Sequence, residues 1–421
     1  MKKEILGSTS GVRLDQPFNS LGMADRLRGY ARDYAEAKEH IPTGFKLSDE
    51  IQANQKRVKD VLQATEADWD DWTWQLGHRI STVDILEQIV SLTKEEKKEI
   101  NEVATKFRWA ISPYFASLMS PEDRSCPVRL QMVPRGEELM MTGVPDFSGE
   151  EYTSPVRNLV QWYPDRVAVH VTNSCAAFCR HCLRRRKIGE VDQTTDASNL
   201  DAIFTYLEEN TGIRDVLLTG GDPLTFSDNK LDELLTRLDR IDHVEIKRLG
   251  SRIPVTLPQR ITQDLCDMLA THHPLYINIQ VNHPKEITKD TTRVCDMLSR
   301  AGVVLGNQSV LLRGINDDSN IIKLLNHELL KIRVRPYYLY HCQGTIGIAH
   351  FRTPVEKGLE ILENLRGFTS GLAVPDYIIT PSGLGKTPLA PQYQISAGEG
   401  YVMLRNWEGK VYRYENPLPQ E

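Results

Sequence analysis

Two hydrophobic periods divide this 421-residue chain. As far as about residue 150, apolar positions recur every three to four residues, the spacing of one helix face. Residues 49–64 and 93–111 carry the pattern most clearly, and Thr93 followed by Glu96 makes a capping-box pair opening the second segment. Trp69, Trp72 and Trp74 read as packing residues. Between residues 120 and 162 the chain becomes rich in Pro, Gly and acidic residues, which reads as a wrapping linker without long elements.

Short β-branched runs then appear at residues 167–172, 216–219, 244–249, 276–281, 303–308 and 334–340. Amphipathic segments such as 200–209, 230–241, 262–271 and 320–332 separate them. This alternation predicts an α/β fold of parallel strands joined by crossover helices. No internal repeat or low-complexity segment interrupts it.

Composition narrows the class. With 40% hydrophobic and 26% charged residues the chain reads as water-soluble, and a net charge of −6 gives no reason to expect nucleic acid. No apolar run approaches the roughly 18 residues that cross a membrane, and Met1-Lys2-Lys3-Glu4 is not followed by a signal-peptide core. Seven cysteines, an odd number, argue against a secreted disulfide framework. A cytoplasmic, reducing location is expected.

Three of those cysteines fall within eight residues, Cys175, Cys179 and Cys182, spaced CxxxCxxC. Thiolates so close together need a soft metal centre to offset their repulsion, and iron–sulfur clusters are held this way. A cubane with three cysteine ligands keeps one iron open to a substrate. The competing zinc knuckle wants four ligands; His181 lies between two of the cysteines, whereas Cys126 is remote and precedes a proline. The loop begins just after the first predicted strand, at the end of a parallel sheet where active sites form. Arg184, Arg185, Arg186 and Lys187 follow directly and read as facing anionic ligands.

Thr219-Gly220-Gly221-Asp222-Pro223 closes the second predicted strand. Its glycines let the backbone approach a ligand, and an ordinary tight turn is an equal reading. Lys386 sits in a glycine-rich stretch ending Gly-Lys-Thr, but the Walker pattern requires glycine at 380, which is Thr380. A lone lysine in such a loop is most often a surface residue. His283 reads as a structural histidine.

The cysteine spacing, with an aromatic before the second cysteine, resembles that of radical S-adenosylmethionine (SAM) enzymes. Tyr163-Pro164-Asp165-Arg166, Cys182-Leu183-Arg184-Arg185-Arg186, Leu257-Pro258-Gln259-Arg260, His350-Phe351-Arg352-Thr353-Pro354 and Gly383-Leu384-Gly385-Lys386-Thr387-Pro388 together resemble the lysine 2,3-aminomutase family. The likeness covers most of the chain. It implies a helical region over residues 1–150, a radical SAM partial (β/α)6 barrel over 151–365, and a C-terminal segment over 366–421 carrying the lysine that binds pyridoxal 5′-phosphate (PLP). It further implies a 4Fe–4S cluster on Cys175, Cys179 and Cys182, with Gly220, Gly221, Asp222 and Gln308 beside SAM. Lys386 is implied as the Schiff-base lysine, Arg166 as a PLP phosphate contact and Arg184 as the partner of the substrate carboxylate. An external electron donor such as flavodoxin or ferredoxin and a homo-oligomer also follow from it.

Three departures bear on the substrate. Gln343 and Ile379 stand where the lysine enzymes place two aspartates around the substrate ammonium. No cysteine follows Cys342, and Asp318 replaces an upstream ligand, so the family's structural zinc is not expected. Trp162 takes the place of another basic phosphate contact, and Gln280 that of a barrel histidine. The expected activity is therefore a 2,3-aminomutase acting on a free α-amino acid other than lysine, arginine first and glutamate or smaller neutral amino acids after it. A desaturase using the same cofactors, a lysine 2,3-aminomutase, and an iron–sulfur protein that merely binds or senses are the alternatives.

Overall fold

The computed structural model describes residues 20–416 and arranges them around one open sheet of nine strands. These are β1 (Leu159–Tyr163), β2 (Arg166–Thr172), β3 (Asp215–Gly220), β4 (Ile246–Ser251), β5 (Leu275–Ile279), β6 (Val304–Leu311), β7 (Arg335–His341), β8 (Asp376–Ile379) and β9 (Thr387–Leu389), paired in chain order. Strands β2 through β8 run parallel, and β1 and β9 close the two edges antiparallel. All six expected strand segments are present, each followed by a helix: Ala197–Glu209, Asp228–Asp239, Gln263–Leu269, Lys289–Arg300, Ser319–Lys331 and Val355–Leu365. Six β/α units in an unclosed sheet make the partial barrel.

The helices sit where they do because one face of each is apolar. In Asp228–Asp239 the buried side chains are Leu231, Leu234, Leu235 and Leu238, the i, i+3, i+4, i+7 stripe. Five of the six helices start at a side-chain cap, from Asp196, Ser227, Thr262, Thr288 and Asp318. Each such cap stabilises by about 1 kcal/mol. Asp318 accepts from the N–H groups of both Asn320 and Ile321.

Outside the barrel, Ser20–His40, Ser48–Leu62 and Lys94–Ala104 form the longer helices of the amino-terminal region. The capping box of Thr93 and Glu96 is present. The helix it opens stops at Ala104 rather than reaching 111, because Ile111 exchanges both backbone hydrogen bonds with Ile80, at 2.8 and 3.0 Å. Ser112 then caps a new short helix with Pro113 at its first position. The segment 120–162 holds only short elements before it ends in β1, whose Leu-Val-Gln-Trp-Tyr lacks the alternation that marks a strand. The carboxyl-terminal stretch divides. β8 and β9 extend the main sheet, while β10 (Gln394–Gly398), β11 (Tyr401–Arg405) and β12 (Val411–Glu415) form a separate antiparallel sheet. Among the described residues no helix is long and apolar enough to cross a membrane.

Candidate active site

The loop after β2 carries Cys175, Cys179 and Cys182 into one wall of a cavity of about 930 Å³ at the carboxyl ends of the strands. None of the three is in a disulfide. The amino-terminal region fixes the loop from behind. Phe178 N–H donates to Ala110 O at 2.9 Å, Arg180 N–H to Gln131 O at 2.8 Å, and Arg79 Nη1 to Cys175 O at 2.7 Å. The guanidinium groups of Arg79 and Arg108 lie 5.6 and 4.6 Å from the centre of the buried Phe178 ring. Burial, followed by nearby negative groups, pushes the Cys175 and Cys182 thiols up. A positive metal centre reverses that preference and deprotonates them.

Among the described residues no three His, Cys, Asp or Glu side chains are grouped as ligands of a single metal ion would be. A four-iron cluster is a wider body than a single ion, and three thiols lining one cavity suit it. Gly220 and Gly221 seat the loop against β3. Gly220 has φ +123°, and a Cβ at Gly221 would lie 2.2 Å from Ser174 O, so neither position tolerates a side chain. The buried Asp222 carboxylate accepts from Leu224 N–H, Ser251 Oγ, Arg252 N–H and Ile253 N–H, tying the end of β3 to that of β4. Burial still raises its pKa to about 6.

The basic run turns inward, onto carboxylates of the wrapping segment. Glu138, fully buried, takes a two-pronged contact from Arg180 and a bond at 2.5 Å from Arg185. Glu150, also fully buried, accepts from Arg184 Nε at 2.7 Å and lies 3.0 Å from Lys187 Nζ and 3.8 Å from Arg186. The run therefore answers carboxylates of this chain, Arg184, Arg186 and Lys187 meeting Glu150 and Arg185 meeting Glu138, as buried carboxylates beside cations require. Arg184 and Lys187 nevertheless line the cavity.

Burial opposes ionisation of Glu138, but Arg180 and Arg185 outweigh it and hold its pKa below the usual range. Its contribution to stability is therefore present at neutral pH and lost as pH falls through the depressed value. Glu138→Ala leaves two buried guanidinium groups uncompensated and is expected to cost about 3–5 kcal/mol. Chemical denaturation of the purified protein checks this; a change within about 0.5 kcal/mol, as at an ordinary surface site, would show that water replaces the carboxylate.

Lys386 reaches the barrel from the β8–β9 hairpin, where Ile379 pairs with Thr387. Gly383 and Gly385 take φ values of +69° and +74° in the turn, which leaves Lys386 beside the sheet. Its N–H donates to Tyr163 Oη at 2.7 Å, and its Nζ lies 4.7 Å from the centre of the Tyr338 ring and 5.5 Å from that of Tyr340. Burial, then the positive charges of Arg248, Arg166 and Arg184, lower its pKa to about 7. Arg166 stacks on the other partner of this corner, Tyr163, at 3.9 Å. Gln343 Oε1 accepts from Ser148 Oγ at 2.9 Å, and Ser148 O accepts from Gly383 N–H, so the loop after β7, the wrapping segment and the lysine loop are tied together.

The expected site residues thus fall into two groups. Cys175, Cys179, Cys182, Arg184, Gly220, Gly221, Asp222 and Gln308 line the cavity; Arg166, Gln343, Ile379 and Lys386 belong to the corner at β7–β9. Tyr340 lines the cavity and faces Lys386, which joins the two. Reading of the sequence missed Tyr338, Tyr340, Asn278, Glu138, Glu150 and Arg252. Asn278 lines the cavity with its buried Nδ2 unpartnered, a donor left for a ligand. Tyr340 and Arg252 lie at or just beyond strand ends, a signal already used for the cysteines, whereas Tyr338 lies in the middle of β7. Nothing local marks Glu138 or Glu150.

Residues 169–325 match the family model described as the radical SAM superfamily, and residues 362–420 match the model described as lysine-2,3-aminomutase. Over 399 residues the chain is 49% identical to a glutamate 2,3-aminomutase of Clostridioides difficile, with 94% of each protein covered. It is 47% identical over 366 residues to the L-lysine 2,3-aminomutase of Clostridium subterminale, covering 86% of this chain and 88% of that one. To the L-lysine 2,3-aminomutase of Bacillus subtilis it is 45% identical over 365 residues, covering 86% and 78%.

Proposed function

We infer the substrate from the premise that this chain belongs to the lysine 2,3-aminomutase family. It is a radical SAM aminomutase, an isomerase that moves an amino group, and its cofactors are a 4Fe–4S cluster, SAM and PLP. We propose that it acts on a free α-amino acid whose side chain is acidic or neutral, glutamate first.

The observation that carries this reading is the state of the carboxylates around the cavity. Three line it among the described residues, Asp192, Asp196 and Asp222. Asp192 is paired with Arg79 and Arg108, Asp196 caps a helix, and Asp222 holds four internal donors. Glu150, next to Arg184, is surrounded by cations. None is left for a substrate ammonium or guanidinium. Cations do line the wall, among them Arg157, Arg184 and Lys187. Sequence alone favours arginine; the engaged carboxylates and the similarity to a glutamate 2,3-aminomutase move glutamate ahead of it.

The cluster and SAM supply a hydrogen-abstracting radical when bound, and PLP a carrier for the migrating nitrogen. In this reading Cys175, Cys179 and Cys182 hold the cluster, Gly220, Gly221 and Gln308 border SAM, and Arg166 meets the PLP phosphate. Arg184, anchored through Nε, offers its terminal nitrogens to the substrate carboxylate, a geometry suited to paired hydrogen bonds. Gln343 donates and accepts at the side-chain end of the pocket, and Ile379 keeps that end apolar. The protein's own contribution is chiefly to place reacting atoms at near contact. With this reading go a one-electron donor of flavodoxin or ferredoxin type, a cytoplasmic location and self-association.

Lysine is expected to be a poor substrate. A buried ammonium without a carboxylate costs about 3–5 kcal/mol, or about two to four orders of magnitude in kcat/KM. Anaerobic turnover of glutamate, arginine, alanine and lysine by one reconstituted preparation, read by mass spectrometry and NMR, tests the order. Fastest turnover of lysine, or of arginine, would overturn it.

A further inference from the structure

Arg252, immediately after β4, is buried and reaches across the barrel mouth to the cysteine loop. Its Nη1 donates to Cys179 Sγ at 2.7 Å. Its Nη2 donates to Gln131 Oε1 at 2.6 Å and to Glu286 Oε2 at 2.8 Å. Both anchors are themselves fixed. Gln131 and Glu286 are fully buried, and Glu286 Oε1 accepts from Gln131 Nε2, Asn282 N–H and His283 N–H. The main chain of Arg252 is held as well, its N–H donating to Asp222 Oδ2 at 2.7 Å. The guanidinium position is therefore set from three sides, with one nitrogen aimed at one sulfur.

A cation with a fixed N–H at a cluster sulfur favours the state that carries the additional electron. Guanidinium stays charged throughout, so no proton accompanies that electron. Neither Cys175 nor Cys182 has a side-chain cation donating to its sulfur among the hydrogen bonds of the described residues, whereas Cys179 does. We propose that Arg252 is a positioning residue that holds Cys179 and raises the reduction potential of the cluster, easing entry of the single electron from the external carrier. Gln131 and Glu286 serve it by fixing the guanidinium, which links the helical region and β5 to the redox centre.

The test uses the full-length protein with its cluster reconstituted and a redox titration followed by EPR. Arg252→Gln alone strands Glu286, so the neutral pair Arg252→Gln with Glu286→Gln is measured beside it, together with Arg252→Lys. Iron content is expected to stay at the wild-type level in the neutral pair. Its midpoint potential is expected to fall by about 59 mV or more, a tenfold change in the one-electron equilibrium. Arg252→Lys, which keeps the charge and loses the fork, is expected to shift less. An unchanged midpoint in a cluster-loaded neutral pair overturns the proposal. So does a folded neutral pair that takes up no iron, since Arg252 would then support the loop without setting its potential. A third measurement needs no variant. Wild-type protein grown on isotopically labelled arginine should show a nitrogen coupling to the reduced cluster in pulsed EPR, and its absence would also overturn the assignment.

Discussion

Replacement of Cys175, Cys179 or Cys182 by alanine is expected to abolish cluster assembly and SAM cleavage while the barrel stays folded. The three sulfurs line one cavity on a loop held by backbone bonds from Phe178 and Arg180, and those bonds do not involve the cysteine side chains. Removing one of only three ligands leaves two, too few to hold a cubane with an open iron. Cys126, Cys266, Cys295 and Cys342 are buried elsewhere in the structure, away from the cysteine loop. Their alanine variants should carry iron near the wild-type level. Metal analysis with ultraviolet–visible and EPR spectra reads the result, and full cluster occupancy in a Cys179→Ala protein would sink the assignment.

Lys386→Ala should lose covalent PLP and all aminomutase activity, and still bind SAM at the cluster. The reason lies in the state of the amine. A lysine attacks an aldehyde only when neutral, and burial among tyrosine rings beside Arg248, Arg166 and Arg184 brings the Lys386 pKa down to about 7. At pH 8 roughly nine-tenths of it is then neutral, against well under one-hundredth of an ordinary lysine. Attachment of PLP to the wild-type protein should accordingly slow as pH falls through about 7, rather than through the ordinary lysine value. Borohydride trapping across a pH series, followed by peptide mapping, measures both. Labelling of a lysine other than 386 would show that the site is misplaced.

Much of this protein is legible one segment at a time. The six strand-and-helix units, the capping box at Thr93 and the loop of Cys175, Cys179 and Cys182 depend on residues close in sequence, so local pattern suffices for them. His283, read as structural, is buried with Nδ1 accepting from the N–H of Lys285. The short strands β1, β8 and β9 were not legible, because strands of three to five residues contain too few positions for a period to register.

The chemistry divides in the same way. Sequence by itself singled out the candidates: three thiols in one loop, a glycine-flanked lysine, and the uncharged Gln343 and Ile379. Only the tertiary structure decided what those residues face. It set Glu150 against Arg184, 34 positions apart, Arg252 against Cys179, 73 apart, and Tyr338 and Tyr340 around Lys386. The physical reason is that a buried charge is defined by its partner. In a parallel barrel those partners come from different strand ends and from a linker without pattern, and folding alone brings them together.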